Sequence, residues 1–321
     1  MRFPRTGYTR WVTQVHIFEG ERLRAVEAPG GRPLRWAAWR PGGDDALIVG
    51  NGGTALRFDG ERFEAPATQS RHNLRGVAWS PDGGRALLAG NRGAVLHYDG
   101  RRFEELPRAT VENLRRIAWS PDGSCALIVG NGGVVLRFDA SSGTLQPLPG
   151  DRAHTMRSIA WRPDGAYALI GAYASRYAGY PRPHVLYRCD GRYTQALLAT
   201  DDEDDAVAID WRPGASPAQA LVLSVANSEA GAVSNKLFVY DGAGFDHLRI
   251  EAPAALLGAG WRPDGAYALI CGERGILLRY DGRGITVLPP GTRDNLVGPF
   301  WRGDGETALF LRGPDEKVYT V

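Results

Sequence analysis

Histidine, carboxylate and arginine side chains recur at fixed offsets in this chain. Seven tryptophans, Trp39, Trp79, Trp119, Trp161, Trp211, Trp261 and Trp301, each stand before a short turn, and the residue seven places earlier is Arg32, His72, Glu112, His154, Asp204, Ala254 or Asp294. Six of those seven are ionisable. Imidazole and carboxylate are the ligands a divalent transition metal takes, and the same groups serve as general acid and base. His72, Glu112 and His154 come from three consecutive units and are the candidate catalytic groups; with Asp204 and Asp294 they are also the candidate metal ligands. Against this, loop residues are commonly polar because water surrounds them.

Four places before each tryptophan stand Arg35, Arg75, Arg115, Arg157, Val207, Leu257 and Val297. If these point into a common opening, four guanidinium groups form an oxyanion-binding arc facing an aliphatic one; if they point between units, the arginines are bridges to carboxylates. A buried arginine usually needs a fixed partner, which favours the bridges. A third set lies in the fourth unit, where Ala172 to His184 carries Tyr173, Arg176, Tyr177, Tyr180, Arg182 and His184. Tyrosine and arginine are the residue types that anchor interfaces, so these six are the candidate partner-binding residues. The competing reading is a loop that packs on its own unit. An acidic run, Asp201 to Asp205, lacks the spacing of a calcium loop and reads as a solvated charge cluster.

The elements that must position these residues follow from the repeat. The motif Trp-Arg/Ser-Pro-x-Gly recurs with spacings of 40, 40, 42, 50, 50 and 40 residues, with Gly303 in place of proline in the last unit. Such periods match four-stranded propeller blades. Within a unit, short apolar segments alternate with turn signals, as in Leu114 to Trp119, Ser120-Pro121-Asp122-Gly123, Cys125 to Gly130, Asn131-Gly132-Gly133 and Val134 to Asp139. An Ala-Leu pair begins the second strand of every unit, at Ala46, Ala86, Ala126, Ala168, Ala220, Ala268 and Ala308. No stretch keeps apolar residues at helical spacing without glycine. The expected fold is therefore all-β, a single seven-bladed propeller of four-stranded antiparallel blades spanning residues 1–321.

A ring needs its ends joined, since a blade with a free edge exposes unpaired backbone groups. Lys317 to Val321 reads as the third strand of the last blade, and residues about 14–28 as the closing segment, with the outer strand at about 21–28. From the Ala-Leu pair to the aspartate that ends strand three takes 13 residues in blade three, but 22 in blade four (Ala168 to Asp190) and 21 in blade five (Ala220 to Asp241). Both insertions fall between strands two and three of neighbouring blades, the second at Asn227 to Lys236, and would form a wall beside the central opening.

The Trp-Ser-Pro-Asp-Gly turns at Trp79 and Trp119 resemble those of the WD-repeat-like propellers of the TolB kind. The chain departs from true WD-repeat proteins, since no blade has the Gly-His start or the Trp-Asp end. A second likeness, in Gly-Asn-Gly-Gly-x-x-Leu-x-Phe-Asp-Gly at Gly50 to Gly60, is to the photosystem assembly-factor and Asp-box propellers, without the Asp-box itself. These resemblances imply the propeller fold and fix no activity, because propellers host binding, scaffolding and catalysis alike.

Composition narrows the function classes. The net charge of +2 comes from 38 basic and 36 acidic residues spread along the chain, which is no footprint for nucleic acid or for an anionic membrane. No apolar run approaches the roughly 20 residues of a bilayer span, and the first twenty residues lack a secretory h-region. Cys125, Cys189 and Cys271 are too few and too scattered for a disulfide framework or a metal cage. Neither a phosphate-cradling glycine loop before a helix nor a Gly-x-Ser-x-Gly elbow is present. The expectation is a cytoplasmic, non-catalytic binding propeller that recognises a protein, peptide or glycan on the face of the blade four and five loops, without a cofactor. The alternative is a hydrolase or lyase assisted by one divalent metal ion, acting on a carbohydrate or small anionic substrate at the channel mouth.

Overall fold

The computed structural model describes residues 13–149, 154–174, 184–199, 204–227 and 233–313. Seven four-stranded antiparallel blades form a ring. Their innermost strands are Leu34–Trp39, Leu74–Trp79, Leu114–Trp119, His154–Trp161, Asp204–Trp211, Leu256–Trp261 and Leu296–Trp301. Each inner strand packs beside its two neighbours, and the seventh packs beside the first.

Each blade repeats one solution. The Ala-Leu pair of strand two is buried from both faces, from Ala46 and Leu47 at 0% exposure to Ala308 and Leu309 at 0%. A strand in the middle of a blade, covered by blades on either side, has no solvent face, which is why these segments are continuously apolar. The tryptophan that ends the inner strand turns its ring onto a strand-three aromatic, as in Trp79 on Tyr98 with centroids 5.9 Å apart and Trp119 on Phe138 at 5.7 Å. Its Nε1–H then donates to a carbonyl of the preceding blade: Trp79 to Ala38 (3.2 Å), Trp119 to Ala78 (3.2 Å), Trp161 to Ala118 (3.1 Å), Trp211 to Ala160 (3.2 Å), Trp301 to Gly260 (3.3 Å) and Trp39 to Phe300 (3.1 Å). One side chain thus fills a blade and stitches it to the next. The glycine of the following turn is required for contact as well as conformation. Gly83 sits at φ 66°, and a Cβ there would lie 2.5 Å from the Pro41 carbonyl of the blade before.

Closure differs from the sequence expectation in one respect. From inside to outside, blade seven is Leu296–Trp301, Thr307–Arg312, Thr13–Glu19 and Arg22–Ala28, so the N-terminus supplies two strands and not only the outer one. Val15 pairs with Leu311 and Glu19 with Thr307. What holds this strand in place is burial: Val15, Ile17 and Phe18 are 0%, 1% and 3% exposed, each worth about 1.5–3 kcal/mol. Lys317 to Val321 lies outside the described residues.

Blades four and five also depart from the other five. Strands take up part of both expected loops: in blade four the second strand runs on to Ala174 (Ala168–Ala174, with His184–Cys189), and in blade five, where the second strand Ala220–Asn227 ends at the expected place, the return strand Val233–Tyr240 begins before Lys236. Tyr173 pairs with Asp205, joining the two blades into one eight-stranded sheet. Among the described residues no helix is long and apolar enough to cross a membrane.

Candidate functional site at the channel mouth

One face of the ring carries the starts of the inner strands together with the described turns between strands two and three, because antiparallel pairing sets Leu34 opposite Gly50, Leu74 opposite Gly90 and Leu114 opposite Gly130. A β-bulge interrupts each inner strand near this end. In blades one to six the extra residue is Arg35, Arg75, Arg115, Arg157, Val207 or Leu257, and in blade seven the irregularity falls between Val297 and Phe300. A bulge re-aims the side chain it inserts. All seven positions before the tryptophans remain half-buried, forming a ring that is guanidinium over blades one to four and aliphatic over blades five to seven.

Three of these arginines donate to an asparagine side chain. The Nε–H of Arg35, Arg75 and Arg115 donates to Oδ1 of Asn51, Asn91 and Asn131, at 2.9, 2.5 and 2.7 Å, each asparagine opening the strand two to three turn of the same blade. Those turns are themselves pinned from the next blade, where Asn73 Oδ1 accepts from Gly52 N–H at 2.8 Å and Asn113 Oδ1 from Arg92 N–H at 3.0 Å. The fourth arginine differs, since Arg157 pairs with the Asp205 carboxylate of blade five. An inter-blade bridge of the kind weighed for all four arginines is observed at Arg157. The asparagines were not singled out in the sequence, although they recur at a constant 16 residues after each arginine.

Arg116, beside the bulge in blade three, completes the site. Its guanidinium lies 3.6 Å from the centroid of the Trp36 ring of blade one, and its Nη1 donates to the carbonyls of Arg75 and Arg115, both at 2.8 Å. The guanidinium thus reaches past the inner strand of blade two, whose Arg75 carbonyl it bonds, to the aromatic face of blade one. Trp36 is steadied edge-on against Phe300 of blade seven at 4.7 Å. The Arg116 Nε is buried without a hydrogen-bond partner. Burial, followed by repulsion from Arg157, Arg115, Arg75 and Arg35, holds the Arg116 guanidinium well below its ordinary pKa. Burial lowers Arg35 in the same direction.

The ionisable residues seven places before the tryptophans have separate surroundings. His72 Nε2 meets Arg108 Nη2 at 3.0 Å, and Arg108 is also paired with Glu105 at 2.9 Å. Glu112 is exposed, beside the turn at Gly132. His154 is 5% exposed, its Nδ1 2.7 Å from the Tyr187 hydroxyl on strand three of the same blade. The inner strand of blade four, like that of blade five, begins two residues earlier relative to the tryptophan than that of blade three, which draws His154 into the blade. Asp294 accepts from, or pairs with, His16 Nε2 at 3.0 Å and lies 3.4 Å from Arg312 Nε, joining a closing strand to the last blade. Burial keeps the His16 pKa below its ordinary value despite that carboxylate. Asp204 holds a backbone place opposite Ala226. Among the described residues no three His, Cys, Asp or Glu side chains converge as a metal site.

Of the candidate partner-binding residues, Tyr173 and His184 occupy the ends of the extended strands, opposite Thr155 and Ala199. Arg176, Tyr177, Tyr180 and Arg182 lie outside the described residues, as does the tip of the blade five hairpin at 228–232. Both hairpins rise on the same face as the arginine arc.

No protein-family model matches the chain, and no curated protein matches it. Solved structures do. A chain of Kuenenia stuttgartiensis hydrazine synthase is similar with a TM-score of 0.62 at 16% identity, covering 79% of each chain. A structure of YCF48 bound to a D1 peptide is similar with a TM-score of 0.63 at 14% identity, covering 98% of this chain and all of that one. The chain is a seven-bladed propeller. At such identities the likeness extends to the fold, and these two neighbours carry different functions on it.

Proposed function

We propose that this chain is a non-catalytic binding propeller of the WD-repeat-like, TolB-like kind, working in the cytoplasm, that recognises a peptide segment of a protein partner on the face bearing the blade four and five hairpins. The observation that carries this reading is the pairing of Tyr173 with Asp205, which ties the two extended hairpins into one raised wall beside the channel mouth. Extended strands present contact residues with less ordering cost than loose loops do, which is what an interface of useful affinity needs. Tyr173, Arg176, Tyr177, Tyr180, Arg182 and His184 would supply anchors of the types enriched in hot spots. The YCF48 structure, similar over the whole chain, has a peptide bound.

The test is enrichment of a random-peptide display library on immobilised protein, run beside a variant with Arg176, Tyr177, Tyr180 and Arg182 replaced by alanine. Peptides enriched on the wild type should bind the variant at least tenfold more weakly. Equal binding to both, or enrichment of glycans but no peptides on parallel arrays, contradicts the proposal.

A further inference from the structure

Five of the seven blades follow the inner-strand tryptophan with arginine, and blades two and three follow it with Ser80 and Ser120. The arginines show what the slot between two blades takes. Arg40, Arg212 and Arg302 lie over the tryptophan of the next blade, 5.0, 4.7 and 5.7 Å from the ring centroids of Trp79, Trp261 and Trp39. The Nε–H of Arg40, Arg212 and Arg262 donates to the turn glycine of that next blade, at 2.7, 2.9 and 2.8 Å from the carbonyls of Gly83, Gly265 and Gly305. Blade two replaces its missing arginine from five residues further on, where Arg85 crosses to the Ala140 carbonyl of blade three at 3.1 Å, and Trp119 stays 8% exposed. Blade three has Cys125 at the position of Arg85. Its Ser120 hydroxyl is used inside its own turn, 2.6 Å from Asp122 Oδ1 and 2.9 Å from the Cys125 carbonyl.

A cleft of about 530 Å³ is left between blades three and four, walled by Ser120, Cys125 and the half-buried Trp161. Its carboxylates are Asp122, Asp164 and Asp190, and its cations Arg137 and Arg192. Asp164 pairs with Arg162 at 3.2 Å and Arg137 with Asp139 at 3.0 Å. Hydrogen bonds from Ser120 and Ser124 to Asp122, and from the Tyr193 and Arg192 N–H groups to Asp190, all on Oδ1, hold both carboxyls below their ordinary pKa, so both are ionised at neutral pH. Two carboxylates then face the exposed Arg192.

We infer that this cleft receives the guanidinium of an arginine side chain from a partner polypeptide, seated over Trp161 as Arg40 is seated over Trp79, with Asp122 and Asp190 facing its charge. A planar guanidinium stacks on an indole and still donates in its own plane, which an ammonium does not. The cleft lies on the face of the Trp-x-Pro-x-Gly turns, opposite the raised hairpins, and does not rest on the peptide reading made for those.

The experiment follows the indole N–H signals of protein carrying isotope-labelled tryptophan by magnetic resonance, with Trp161→Phe assigning the Trp161 signal. The probes are the peptide acetyl-Gly-Arg-Gly-amide and its lysine and citrulline counterparts. The arginine peptide should shift the Trp161 signal saturably, the lysine peptide should bind about tenfold more weakly, and the uncharged citrulline peptide should leave the signal in place. Ser120→Arg, which fills the slot from within, should abolish the shift. In case that variant fails to fold, Asp190→Asn, whose amide oxygen still accepts from the turn, should weaken binding about threefold to tenfold. The variant with Arg176, Tyr177, Tyr180 and Arg182 replaced by alanine should bind the arginine peptide as the wild type does, so the result stands even if no library peptide is ever enriched. No saturable shift of the Trp161 signal overturns the inference. So does binding of the lysine or citrulline peptide as tight as that of the arginine peptide, binding left unchanged by Ser120→Arg or Asp190→Asn, or binding lost in the hairpin variant.

Discussion

At the end of the fifth inner strand, Asp210 occupies the place held by Ala38, Ala78, Ala118 and Ala160 in the four blades before it. Its carboxylate accepts from the Trp261 backbone N–H at 2.7 Å, and at this interface the tryptophan stitch is missing, the Trp261 Nε1 being buried without a partner. Burial pushes the Asp210 pKa up to about 7 against its ordinary 3.8, despite that hydrogen bond. The sign follows from linkage. Below about pH 4 the folded and unfolded states are both protonated; from there to about pH 7 only the unfolded state releases its proton, so stability falls as pH rises and then levels off. The full difference amounts to roughly 4 kcal/mol. Asp210→Asn, whose amide oxygen still accepts from Trp261, is expected to match the wild type in urea denaturation at pH 4. At pH 8 it should be more stable by roughly 2–4 kcal/mol. Equal stability at both pH values would show that the carboxyl is not held neutral by the fold.

At the scale of the element, the N-terminal hairpin decides whether the ring is one cooperative unit. Phe18 on its inner strand meets Trp301 and Phe310 edge-on at 6.3 and 6.5 Å, while Arg24 on the outer strand faces water. Phe18→Ala should cost about 3–5 kcal/mol in chemical denaturation, and Arg24→Ala less than about 0.5 kcal/mol. A Phe18→Ala cost near that of Arg24→Ala would mean that the closing strands contribute little. The strands themselves were legible in the sequence because tryptophan spacing and the Ala-Leu pairs mark the same two strands in every blade. The share of blade seven taken by each terminus was not, since a short third strand can be read at either end until burial decides between them. The arginine column was legible by alignment on the tryptophans, but its direction was not. A bulge at Arg115 leaves no mark in the sequence, and one residue of slip decides whether Arg115 or Arg116 reaches the Trp36 ring. The same offset gives His72 and His154 different surroundings, because blade four's longer inner strand takes His154 inside.

At the scale of the whole molecule, the two faces of the ring are unequal. One carries the Trp-x-Pro-x-Gly turns, locked from blade to blade by contacts such as Arg40 Nε–H on the Gly83 carbonyl at 2.7 Å and Arg262 Nε–H on that of Gly305 at 2.8 Å. The other carries the bulges, the arginine arc and the two raised hairpins. Rigid strands with departures from the repeat gathered on one face are how a regular scaffold bears a site. The most direct measurement is backbone hydrogen exchange with and without a peptide enriched on the wild-type protein. The account predicts slowed exchange at the inner-strand starts around residues 34–36, 74–76 and 114–116 and along the blade four and five hairpins, with the turns at 80–84, 120–124 and 162–166 unchanged. Protection confined to those turns would place the partner on the opposite face and contradict it.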